Sequence, residues 1–336
     1  SMLFLLHLAS KLESPKNGGG RAAIVLSGSP LFNGGAGSGE SEIRRWLLEK
    51  DLVEAIIALP TEIFFRTGIG TYLWILSNKK PATRKRKVQL INATGLWESI
   101  RNEGNKRRKV GDEHLRQIAD LYAAAESDEL SRLLDYRTFG YRRIRVLRPL
   151  RMRLHFTREH LARLREDKAW VKLTTGQQAG WQRALVAHLG EVQPLEWLDV
   201  FVDQATSGDP TLGKVGKPFR KALVQAFGVR DPASPPVLDD DGKPVPDTDL
   251  TDFENVPLNE DVRDYLAREV LPHVSDAWLD ESYRDEKDDE IGRVGYEINF
   301  NRYFYKYVRP RKLDAIDAEL KQVEAEIAAL LSEVTE

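Results

Sequence analysis

The chain has 336 residues, with 50 lysines and arginines against 52 aspartates and glutamates, a formal net charge of -2 and no cysteine. That length predicts about two domains, each able to bury a core, and the lack of cysteine excludes a disulfide framework, a thiolate zinc site and a cysteine nucleophile. No apolar run approaches the ~20 residues of a membrane span, and the apolar residues 2–6 lack the length and basic flank of a signal peptide, so a soluble, cytoplasmic protein with no membrane partner is expected.

In chain order, residues 21–26 form a short apolar run between glycine- and serine-rich turns, which predicts a strand buried on both faces. The loop Asn33-Gly34-Gly35-Ala36-Gly37-Ser38-Gly39 follows, and Ser41 is placed to cap a helix carrying Ile43, Trp46 and Leu47 on one face. Residues 53–59 predict a second buried strand, stopped by Pro60. Residues 72–77 and 88–92 add two more, free to run antiparallel at an edge. Strand, helix, strand implies a right-handed parallel crossover, so residues 1–95 read as the second half of a doubly wound sheet. Beyond Gly95 the apolar period becomes helical over 113–122, 157–166, 176–189, 218–227 and 258–270, with an exposed hairpin or loop around Asp241-Gly242. The chain closes on Leu313, Ile316, Leu320, Val323, Ile327, Leu330 and Val334, whose three–four alternation is a heptad seam.

Charge is unevenly spread. Residues 79–158 carry roughly 21 cations against 9 anions, and residues 231–290 about 20 anions against 5 cations. Either both are solvated faces, or the basic half meets a polyanion and the acidic half does not. The tract containing Arg101, Lys106, Arg107, Arg108 and Lys109, and the aromatic-laced run through Tyr136, Phe139, Tyr141, Arg142 and Arg143, have the composition of a nucleic-acid surface, with a solvated ribbon as the alternative. Phe64 and Phe65 follow the strand that ends before Pro60, at the sheet edge where α/β proteins place ligands. A stacking role and a core role both stay open for them. The glycine loop lacks the spacing of a dinucleotide or P-loop fingerprint, leaving a phosphate cradle or a loop lipping a ligand cleft. The scattered histidines offer no metal pair.

Several words together resemble one family. Residues 20–26 with 28–32 and 34–44, residues 56–60 with Phe64, residues 67–69 and 71–78, the run 139–143 with 148–151, and residues 295–305 look like the modification subunit of type I restriction–modification systems. That resemblance implies a site-specific, adenine-specific DNA methyltransferase using S-adenosylmethionine on double-stranded DNA. Its implied partners are a specificity subunit, a second modification subunit and the restriction subunit. The chain looks like the C-terminal portion: the family's cofactor glycine motif and its N-P-P-aromatic motif are not found, and Ser234-Pro235-Pro236-Val237 lacks the aromatic. It is therefore expected to be inactive alone, with a non-catalytic DNA-clamping and assembly module as the alternative reading. In related adenine methyltransferases an aromatic after the corresponding strand packs on a flipped adenine, and Phe64 or Phe65 is the matching position.

The expected fold is thus α/β, half of a Rossmann-like methyltransferase sheet over 1–95. A mainly helical region over 96–300 follows, and 301–336 ends in a coiled-coil-type assembly helix.

Overall fold

The computed structural model describes residues 2–103, 106–239, 241–307 and 309–335. The chain divides into two units, each discontinuous in sequence. Ser1–Gly34, Ile43–Phe139 and Glu297–Glu336 make the first, and Gly35–Glu42 with Gly140–Tyr296 the second. This cuts across the contiguous division 1–95, 96–300 and 301–336.

The first unit holds strands β1 (Arg21–Ser27), β2 (Val53–Leu59), β3 (Thr71–Ser77), β4 (Lys87–Asn92), β5 (Glu98–Glu103), β6 (Lys106–Lys109) and β7 (Ser131–Asp135). Five of them form a sheet in the order β1-β3-β2-β4-β7, and β5 pairs with β6 as a separate hairpin. Only β2 and β4 run parallel; the other neighbours are antiparallel. β1 and β2 do share a direction, as strand–helix–strand requires, but β3 lies between them rather than at an edge. The reason is the connection: the loop 60–70 carries no helix, so the chain can return only antiparallel, directly beside β2. β2 is buried almost throughout. β1 alternates between exposed and half-buried residues, against the expectation of burial on both faces, because it ends the sheet.

Helix Asp112–Ala124 packs Ile118 and Leu121 onto Ile57 and Ile91. The turn after β1 is pinned by the fully buried Arg44, which donates to the carbonyls of Pro30, Asn33 and Gly34 at 3.0, 3.0 and 3.3 Å. Helix Gly39–Glu49 starts earlier than expected, with Ser38 Oγ accepting from the Ser41 amide.

The second unit holds β8 (Gly140–Leu147), β9 (Met152–His155), β10 (Val192–Pro194), β11 (Gly228–Arg230), β12 (Asp252–Pro257), β13 (Trp278–Leu279) and β14 (Arg293–Tyr296). The region expected to be mainly helical therefore contains two further sheets. β8 is central in one, with β12 on one side and β13 and β14 on the other. Its period of two is masked in the sequence by arginines. Ile144 and Val146 point into a core with Val256, Leu266 and Leu279, while Arg143 and Arg145 take the other face. The second sheet, β10-β9-β11, borders a helical layer built around Phe156, Trp181, Phe219 and Phe227. Thr157 and the Thr174–Gln177 capping box start two of its helices. The helix expected over 258–270 begins only at Val262, capped by Asp261, and passes into a π turn at Leu266–Val270. The loop around Asp241 closes through Leu238 and Pro244.

The arginines of this unit meet its own acidic segment. Arg142 pairs with Asp288 at 2.7 Å and Glu290 at 3.0 Å, Arg145 with Asp280 at 2.9 Å, Arg151 with Asp276 and Arg153 with Asp231, each at 3.0 Å. For residues 142–153 the polyanion is internal. The expectation that basic and acidic stretches act separately does not hold there.

Helix Leu313–Thr335 ends the described chain. Its seam is uncovered, with Leu320 56% and Ile327 51% exposed and Ile316 half-buried. The Val334 side chain lies outside the described residues.

The pairing makes the second unit acid-sensitive in a specific way. The Arg142 guanidinium, against a smaller opposing effect of burial, holds the Asp288 carboxyl below the ordinary range. A carboxylate depressed on folding contributes stability that is complete above its unfolded value near ~3.9 and is lost as pH falls through the folded value. Arg142→Met should therefore flatten the decline of melting temperature from about pH 5 to about pH 2.5. An unchanged slope would show that the pair contributes nothing.

Candidate nucleic-acid interface

The rim of the first sheet is set by register. Ser27 pairs with Thr71, Thr71 with Leu59, and Ala58 with Asn92, so the carboxyl ends of β1, β2 and β4 share one edge with the start of β3. The buried Pro60 has no amide to extend the ladder, and the chain leaves the sheet there. In the loop beyond, Phe64 and Thr67 close a turn, with the Thr67 amide donating to the Phe64 carbonyl at 3.3 Å. Arg66 inside that turn has φ +58° and Glu62 has φ +62°. Two non-glycine residues in the left-handed region within five positions are local strain of the kind held at ligand sites. The turn presents both aromatic rings: Phe64 is 39% and Phe65 61% exposed. A core role for either is thereby removed. The Arg66 guanidinium lies 5.2 Å from the Phe65 ring centre.

The hairpin β5–β6 docks on this same loop. Amides of Arg107 and Arg108 donate to the Glu62 carbonyl at 3.0 and 3.3 Å, and the Arg108 guanidinium donates to Thr61 Oγ1 at 2.8 Å. That guanidinium also sits 4.0 Å from the Trp97 ring centre and 3.7 Å from the Glu62 carboxylate. The left-handed turn at Glu62 aims its carbonyl at the hairpin, so strain and docking share one residue. Lys109 pairs with Glu98 at 2.9 Å; the ammonium holds the Glu98 carboxyl below its ordinary range, and the carboxylate raises Lys109 in turn. Arg108 and Lys109 are therefore engaged in holding the hairpin. Arg101 and Arg107 are exposed and Lys106 half-buried, none of them with an ion pair among the described residues. Gly104 and Asn105 lie outside those residues.

The fold thus joins two of the three groups singled out in the sequence, the aromatic pair and the basic tract. It does not join the third. Arg142 is bound by its two carboxylates, and Arg143 lies 4.3 Å from the Phe253 ring centre. Trp97, Thr61 and Glu62, which join loop and hairpin, were missed. A lone tryptophan beside Gly95 and ahead of a basic tract was the available signal for the first.

The glycine loop is covered from within the second unit. A Cβ at Gly37, which has φ +83°, would lie 2.9 Å from the Arg293 guanidinium, and one at Gly35 3.1 Å from that of Arg143. The glycines admit two arginines. Among the described residues no group of acidic or histidine side chains could hold a metal ion, and no helix is long and apolar enough to cross a membrane.

Residues 1–137 match the N-6 DNA Methylase family. The chain is similar to the methylase subunit of the type I restriction enzyme MjaVII from Methanocaldococcus jannaschii, 37% identical over 116 residues that make up 34% of this chain and 19% of that subunit. It is also similar to the EcoKI methylase subunit from Escherichia coli, 29% identical over 123 residues, 36% of this chain and 22% of that one. The chain thus spans only about a fifth of the length of these relatives. A solved type I methyltransferase subunit from Streptococcus thermophilus aligns with 40% of this chain and 26% of its own, at 31% identity and a TM-score of 0.35. The amino-terminal segment of this chain is similar in sequence to part of the methylase subunits of type I restriction enzymes.

Proposed function

We propose that this chain serves as part of the modification subunit of a type I restriction–modification enzyme. There a methyl group passes from S-adenosylmethionine to adenine N6 of double-stranded DNA, and a specificity subunit selects the site. The observation that carries this reading is the docking of a basic hairpin on Thr61 and Glu62 of the loop that also presents Phe64 and Phe65, inside the segment that matches a DNA methylase family. Phe64, with Phe65 beside it, stacks on an adenine drawn out of the duplex. Arg101, Lys106 and Arg107 take backbone phosphates, while Arg108 and Lys109 position the hairpin.

The methyl donor is not assigned a seat. The glycine loop is unsuitable because Arg143 and Arg293 fill the space beside Gly35 and Gly37, and the sequence holds no N-P-P-aromatic run to orient an adenine amine. The chain alone therefore binds and assembles without transferring. The uncovered seam of Leu313, Ile316, Leu320, Val323, Ile327 and Leu330 favours this second reading, a DNA-clamping and assembly module. An apolar seam in a helix needs a partner. The specificity subunit and a second modification subunit supply it here, in a complex that the restriction subunit completes.

Labelled donor and duplex DNA should give no methylation with this chain, with or without a specificity subunit; measurable turnover refutes the assignment. In the complete enzyme Phe64→Ala should lower methylation about tenfold or more, since stacking is worth ~1–3 kcal/mol per base. The melting temperature should hold, the ring being exposed, and a destabilised variant with full specific activity would retire the stacking role. Leu320→Asp with Ile327→Asp should abolish co-purification with the specificity subunit while circular dichroism reports an intact fold. Retained assembly would exclude the seam as the interface.

A further inference from the structure

In the second unit the arginines of β8 and β9 are largely neutralised by carboxylates, so uncompensated positive charge must be sought elsewhere. It gathers in the helical layer. The short helix Lys168–Val171 packs against helix Lys217–Phe227, with the Trp170 and Phe219 rings 6.2 Å apart. Between them opens a cavity of about 490 Å³, rimmed by Lys168, Lys172 and Lys221 and floored by Phe219. Lys168 and Lys172 are four residues apart in helical backbone and so share a face. All three lysines are exposed, and none has an ion pair among the described residues. Asp167 also lines the cavity, but its carboxylate accepts from the Ala169 amide at 2.6 Å as the helix cap. Residues 210–230 carry no acidic side chain at all.

Three ammonium groups on one rim, set against the single carboxylate of Asp167, leave net positive charge there, which a polyanion neutralises. Lysine acts as a mobile point charge, suited to phosphate contact without base readout. We propose that this lysine-rimmed cavity is a second DNA contact, taking phosphodiester groups of the duplex backbone irrespective of sequence. The inference rests on the reading that the chain works on DNA, and it adds a contact at residues beyond the methylase match.

The test measures binding of the full chain to two duplexes of unrelated sequence over a range of salt. Lys168→Gln/Lys172→Gln/Lys221→Gln should weaken both alike and reduce the slope of log K against log salt by about 2.7, three contacts at ~0.9 each. Lys168→Arg/Lys172→Arg/Lys221→Arg should keep the wild-type slope. Lys106→Ala/Arg107→Ala serves as the reference for the hairpin. If the glutamine variant keeps the wild-type slope while the hairpin variant loses part of it, the cavity is no DNA contact and the functional reading stands. If the arginine variant loses as much as the glutamine variant, charge is not the cause and the inference falls. If the unaltered chain binds neither duplex, the functional reading falls with it.

Discussion

Pairing between the arginines after Gly140 and the carboxylates after Asp231 is the constraint on which the second unit depends. An arginine-rich strand cannot sit at the centre of a sheet unless its charges are met, because half-buried guanidinium groups without partners are costly to desolvate. Asp280, Asp288 and Glu290 meet Arg145 and Arg142, brought back from well over a hundred residues away, and the Phe253 ring lies against Arg143. With these charges matched, Ile144 and Val146 bury in the core beside Val256, Leu266 and Leu279. Individually such partly exposed pairs are worth little, about 0–1 kcal/mol. Their effect here is collective, because they decide which strands can lie beside β8.

The same pairing redirects function. Once Arg142, Arg145, Arg151 and Arg153 are held by acids, this run is no longer a free polyanion surface, and the cations left over matter more. In the first unit these include Arg101, Lys106 and Arg107 on the docked hairpin; in the second, they include the lysines around the helical cavity. Along β6 the first two cations, Lys106 and Arg107, have no ion pair among the described residues, while Arg108 is tied to Trp97, Glu62 and Thr61 and Lys109 to Glu98.

Strain adds a second, local constraint. The loop after β2 keeps Glu62 and Arg66 in left-handed backbone where glycine would cost less. At Glu62 the return is a carbonyl that accepts two hairpin amides. At Arg66 it is a tight turn that holds two phenylalanines out of the core.

Much of this was legible in residue order. The strands over 21–26, 53–59, 72–77 and 88–92, the helices over 113–122, 157–166, 176–189 and 218–227, and the terminal seam follow from short-range periodicity, which a linear sequence carries directly. The aromatic pair at the sheet edge and the basic tract were legible as well, because residue type and neighbouring turns mark them. What only the tertiary structure decided is who meets whom. β3 lies inside the sheet and not at its edge, the run through Tyr141 and Arg145 is a core strand and not a solvated ribbon, and the basic tract folds onto Thr61 and Glu62 in the loop carrying Phe64. The physical reason is one and the same: strand pairing and charge pairing act between residues distant in the chain, and an arginine in sequence reads identically whether a phosphate or the chain's own aspartate will neutralise it.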